Sequence, residues 1–196
     1  MRALLRVVLP GLLLVGALAL SACSSTAAPR FFAPPHETPT PAHLTTQTLV
    51  LAPSASGQHL GDRIMWRRSD VEVGFYEQER WTQPPIRYLD RALSDALFVT
   101  KGLRRSERGS AALAVELLSF EEVLLPAHQV RVELRALLLG IHRRPQPGAA
   151  LLERRFAAKR AVASEDAEAM ARAFGQALDE AVASLTDEVL RALATD

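Results

Sequence analysis

The side chains able to do covalent or proton-transfer chemistry are few and scattered. The chain has 196 residues, with one cysteine, Cys23, and five histidines. His36 and His43 stand in a proline-rich stretch, while His59, His128 and His142 fall at expected turns or strand ends. None has a second ligand at helical spacing on an expected helix, so each reads as a surface histidine rather than a metal ligand. Glu121-Glu122 is an adjacent carboxylate pair. On the strand expected there, neighbours point to opposite faces, so the two acids cannot share one substrate atom. They read as a solvated strand end ahead of Pro126. There is no G-x-S-x-G nucleophile turn, no H-E-x-x-H pair and no glycine loop for a phosphate. These residues assign no catalytic group, no metal site and no cofactor. One cysteine also excludes an intramolecular disulfide.

Cys23 gains its meaning from what precedes it. Arg2 and Arg6 give a positive start, residues 7–20 are an almost unbroken apolar run, and Ser21-Ala22 are small. That order is the signature of an export signal, and the run is short of the roughly 20 residues of a membrane span. Leu20-Ser21-Ala22-Cys23 resembles the lipobox of bacterial lipoproteins. The resemblance implies cleavage after Ala22 and lipidation of the Cys23 thiol, with palmitate-type chains. Ser24, rather than an aspartate, follows the cysteine, which favours the outer membrane and a periplasm-facing domain. Removing residues 1–22 leaves 21 of the 23 basic residues against 22 acidic ones. A near-neutral chain of this kind gives no reason to expect nucleic acid as a partner.

Three segments follow: a cleaved signal at 1–22, a lipidated proline-rich tether at 23–44, and one domain at 45–196. The tether carries Pro29, Pro34, Pro35, Pro39 and Pro41. An extended, polyproline-like stretch of that length could hold the domain up to about 60 Å from the membrane. Phe31 and Phe32 interrupt its polarity, either dipping into lipid or docking on the domain.

Within the domain, short strands are expected at 45–51, at 64–67 and around 71–76, where Val71, Val73 and Phe75 alternate with polar neighbours. Pro84-Pro85 opens a helix with Ile86, Leu89, Leu93 and Leu97 on one face. Residues 111–120 read as a central strand. Val130, Val132, Leu134, Ala136 and Leu138 give the clearest alternation, with Arg131, Glu133 and Arg135 making ion pairs on the other face. A turn at 145–148 leads to a strand at 151–161. Ser164 caps a long closing helix whose stripe runs through Met170, Phe174, Leu178, Leu185 and Val189. The expected class is α+β: a mostly antiparallel sheet with two helices packed on one face, preceded by the disordered lipidated tether.

Residues 63–85 are the most distinctive stretch, with Trp66, Phe75, Tyr76, Trp81 and several arginines close together. Core packing accounts for Trp66, Phe75 and Trp81. A partner-binding surface accounts for Tyr76, Arg80 and Trp81, since Trp, Tyr and Arg are enriched at interface hot spots.

In order and spacing, the segments Leu60-Gly61-Asp62-Arg63-Ile64-Met65-Trp66-Arg67, Phe75-Tyr76 with Arg80-Trp81-Thr82-Gln83-Pro84-Pro85, and Ser119-Phe120-Glu121 resemble the ABC-type transport auxiliary lipoproteins. Phe156 and an alanine-rich closing helix fit as well. The resemblance implies a non-enzymatic accessory part, anchored in the outer membrane, whose partner is an MCE-type periplasmic protein of an ABC lipid transporter. Homo-oligomerisation is a further expectation. Two other readings stand beside it: a tethered lipoprotein regulator of a cell-wall synthesis enzyme, and a lipid carrier, which would need an apolar cavity.

Overall fold

The computed structural model describes residues 27–57, 59–141 and 150–195. Cys23, the cleavage site, His142 and the turn expected at 145–148 lie outside the described residues. In chain order the elements are β1 (Arg30–Phe32), β2 (Thr48–Leu51), β3 (Ala55–Ser56), β4 (Arg63–Arg67), β5 (Val73–Trp81) and α1 (Pro85–Ser94). Next come β6 (Arg104–Arg105), β7 (Ala111–Val123), β8 (Gln129–Gly140), β9 (Ala150–Ala161) and α2 (Ala167–Ala194).

The nine strands form one mixed sheet. Its long members are antiparallel: β7 pairs β8, β8 pairs β9, and β4 pairs β5. The short ones join in parallel, with β2, β3 and β4 alongside β7, β6 on β2, and β1 on β5. Alternation decides which face is covered. Val130, Val132, Leu134, Ala136 and Leu138 of β8 are fully buried. α2 packs on that face against β8 and β9, and α1 packs on α2. Among the described residues no helix is long and apolar enough to cross a membrane.

α1 starts with proline in its first turn, where the missing N–H is harmless. Leu89 and Leu93 are fully buried, and the chain runs on through a π-helical turn at Asp95–Thr100 that buries Leu97. Gly102, at φ +67°, reverses it, with the backbone of His43 against its α-carbon. α2 spans 28 residues, or about 42 Å at 1.5 Å per residue. Its N-cap is Asp166, which accepts from the Ala169 N–H at 2.8 Å, while Ser164 donates to Asp166. The expected cap is thus displaced by two residues to a carboxylate, an equally good acceptor for an orphan N–H.

Two expectations are corrected. Val71 and Val73 are not a buried face: Val71 is 93% exposed, because residues 68–72 form the β4–β5 turn and the strand starts later. The folded part also begins well before residue 45. Phe31 pairs with Arg80 and Phe32 with Trp81 in the β1–β5 ladder. Pro34 is buried, and Ala42 N–H donates to the Val99 carbonyl at 2.9 Å. His36 Nε2 lies 2.8 Å from Asp95 and its Nδ1 3.7 Å from Asp179, bridging the helical layer. The physical reason is apolar: Phe32 packs on the core, and a proline-rich chain is already extended, so seating it loses little entropy.

Candidate functional site

The polar residues that the structure gathers lie at one end of the sheet, around the last residues of β7. That strand is flanked there by β4 on one side and β8 on the other. Glu121 and Glu122 therefore sit in the middle of the sheet, at 1% and 3% exposure, and not at a solvated end. Their neighbours' side chains supply hydrogen bonds to both.

Glu121 faces the side without helices. Arg67 of β4 donates through Nε to both its oxygens at 3.0 Å, and Arg131, directly opposite on β8, donates through Nη2. Burial pushes the Glu121 carboxyl up, but the two guanidinium groups outweigh it and hold it below the ordinary value of 4.5. Arg67 also donates through Nη1 to the Asp70 carbonyl at 3.1 Å, so one residue binds the β4–β5 turn to the carboxylate.

Glu122 faces the helical side. Tyr76 Oη donates to it at 2.5 Å, and His128 Nε2 lies 2.5 Å from its other oxygen. Tyr76 and Glu122 line a cleft of about 320 Å³ with Arg30, Glu79, Asp166 and Met170. Burial, and then the bond and charge of Glu122, push the Tyr76 phenol far above its ordinary value of 10.0. The phenol is thus held as the hydrogen-bond donor to the carboxylate. Both carboxylates are engaged by this chain's own side chains. What the cluster does chemically is fasten the β4–β5 and β7–β8 hairpins together.

The residues singled out for partner binding separate. Tyr76 is half-buried and committed to Glu122 rather than a free surface contact. Its strand is irregular between the pairs Arg63/Arg80 and Met65/Phe75, which shifts the alternation. Arg80 is partly exposed, and its Nη1 donates to the carbonyls of Tyr76 and Glu79 at 3.0 Å. Trp81 is 1% exposed, which removes it from any contact surface. It meets Tyr88, Phe120 and Phe174 edge-on, with ring centroids 6.2, 5.5 and 5.1 Å away. The reason is its place opposite Phe32 on the helix-bearing face. His128, read as a surface histidine, is Glu122's partner. The signal that could have exposed this cluster is a carboxylate pair placed between Phe120 and Val123 in a mostly apolar strand. No group of three or more potential metal ligands occurs among the described residues.

Of the chain, residues 32–186 match the family model described as an ABC-type transport auxiliary lipoprotein component. Among solved structures, the chain is similar to the protein XCC0632 from Xanthomonas campestris, at 25% identity and TM-score 0.72, over 85% of this chain and 98% of that one. It also shares its fold with an uncharacterized protein at 18% identity and TM-score 0.62, covering 83% and 99% of the two chains. A hypothetical protein from Chlamydia trachomatis shares the fold as well, at 9% identity and TM-score 0.58, covering 78% and 100%. No curated protein sequence matches the chain. With the match running from β1 to the middle of α2, the chain belongs to the ABC-type transport auxiliary lipoproteins.

Proposed function

We propose that this chain is the non-enzymatic, outer-membrane auxiliary lipoprotein of an ABC transporter that moves lipid between the two membranes, with an MCE-type periplasmic protein as its partner. The observation that carries the reading is the family match over 32–186, nearly the whole folded part. The site is compatible with it, because the buried carboxylates are spent on holding hairpins together. Cys23 is the lipidated residue, and its anchor keeps the domain at high effective concentration near one membrane, so a modest intrinsic affinity for the partner suffices.

Co-purification from detergent-solubilised envelopes tests the proposal. The expected catch is an MCE protein together with an ATPase and a permease. Recovery of a cell-wall synthase without them overturns it and installs the regulator reading. Cys23→Ala should abolish palmitate labelling; a label that persists sinks the assignment of the anchor. Density-gradient fractions should hold the protein with the outer membrane, and recovery with the inner membrane refutes that location.

A further inference from the structure

The seating of residues 30–44 changes how far the domain can stand from its bilayer. Arg30 opens β1, only seven residues after Cys23. Seven residues reach at most about 25 Å even when fully extended. The remaining proline-rich stretch adds no length, because it is fastened to the domain from Arg30 onward. The β1 edge of the sheet is therefore held close to the membrane surface.

What that edge presents suits a lipid surface. Phe32 and Trp81 point into the core, so Phe31 and its ladder partner Arg80 point to the helix-free face. Arg63 of β4 is paired opposite Arg80 and shares that face. Three neighbouring strands thus carry a row of Phe31, Arg80 and Arg63. Phe31 is 60% exposed, and Arg63 is exposed and stacks over the Phe75 ring at 5.1 Å. Like charges directly opposite on a ladder repel. Yet among the described residues no carboxylate lies within ion-pair distance of either arginine, although Asp62 and Glu77 are nearby in sequence; Arg80 donates only to backbone carbonyls. An aromatic ring beside two guanidinium groups with no acid partner matches the phosphates and upper acyl region of an anionic bilayer.

We propose that the row Phe31, Arg80 and Arg63 is a membrane-contact surface that rests on anionic phospholipid of the bilayer carrying the anchor. This rests on the reading that Cys23 is lipidated. The domain then lies with its helix-free face near β1 against the lipid, and the β9 edge, on the other side of β7, raised away from it.

The test uses the full lipidated protein carrying Phe31→Trp, in vesicles of phosphatidylethanolamine and phosphatidylglycerol with brominated acyl chains. Emission is read against the parent chain, which has Trp66 and Trp81. The added indole should be quenched roughly twofold or more, as for a ring seated about 5–10 Å into the boundary. Leu44→Trp is the comparison, since Leu44 is 74% exposed and lies beside Gly102, at the opposite end of the strands near the start of β7. It should not be quenched. Adding Arg63→Gln and Arg80→Gln should bring Phe31→Trp down to the Leu44→Trp level while the protein still floats with the vesicles. Flotation with equal quenching at the two positions overturns the contact surface and leaves the anchor standing. Failure to float overturns both. If the indole is shielded from acrylamide in detergent alone, with the mass of a dimer, a second copy covers the face and the lipid assignment falls.

Discussion

Replacing Glu121 with glutamine tests whether the carboxylate between Arg67 and Arg131 holds the sheet end together. The amide keeps the shape and removes the charge. Breaking a buried pair typically costs about 3–5 kcal/mol. Here both arginines reach partly into solvent, with side chains 23% and 32% exposed, against 2% for the glutamate. Screening at the exposed ends reduces the expected loss to about 2–3 kcal/mol. For a domain of this size that lowers Tm by about 5–10 °C. The pH dependence gives the sharper reading. Glu121 is held below its ordinary value of 4.5, so its contribution is complete above that pH and is lost as the pH falls through the lowered folded value. The difference between parent and Glu121→Gln should be largest at neutral pH and shrink below 4.5. Urea titrations at a series of pH values measure it. A difference that stays constant with pH, or that is below about 0.5 kcal/mol at neutral pH, refutes the electrostatic account.

Other substitutions separate packing from hydrogen bonding. Trp81→Ala should cost about 3–5 kcal/mol in chemical denaturation. Trp81→Phe should cost clearly less, because the indole N–H is buried without an acceptor and its removal is no loss. Tyr76→Phe should cost about 1.5–3 kcal/mol through the lost bond to Glu122. Since the folded phenol is raised above 10.0, the parent's stability is steady below that pH and falls above it, as only the unfolded chain ionises. Thermal melts of Tyr76→Phe should show a flatter alkaline limb. Gly175→Ala places a β-carbon 2.6 Å from the Pro35 carbonyl oxygen. The gain of about 1 kcal/mol in helix propensity should nearly offset the crowding in Tm. Limited proteolysis should nonetheless cut within residues 33–44 faster than in the parent; unchanged cutting contradicts the seating of that segment.

The parts of the fold visible in the sequence are those set by local periodicity. The alternation of Val130 through Leu138 and the stripe of the closing helix each follow from one face being buried, and both elements appear where the pattern puts them. Proline in a first turn marked α1 for the same kind of reason. What could not be read depends on partners distant in the chain. Glu121 and Glu122 look solvated until β4, 54 residues away from its partner by Arg67's count, is laid beside β7. Tyr76 reaches Glu122 across 46 residues. The strand irregularity near Arg63 reverses which side chains of β5 face inward, and no sequence period announces it. Proline spacing identified an extended segment at 29–41 but was silent on whether that segment floats or lies in a groove. The decision came from Phe32 and from the cleared space at Gly175.

The route of residues 30–44 also has a mechanical consequence. A pull from upstream of Arg30 arrives first at the three-residue β1–β5 ladder, then at His36, and last at Ala42. The three-pair β1–β5 ladder yields before the long β7–β8–β9 ladders, which have many more pairs to break. Fifteen freed residues would pay out about 50 Å of slack. The segment is the weakest link in series with the body of the protein, the part that would give way first while the sheet keeps its shape.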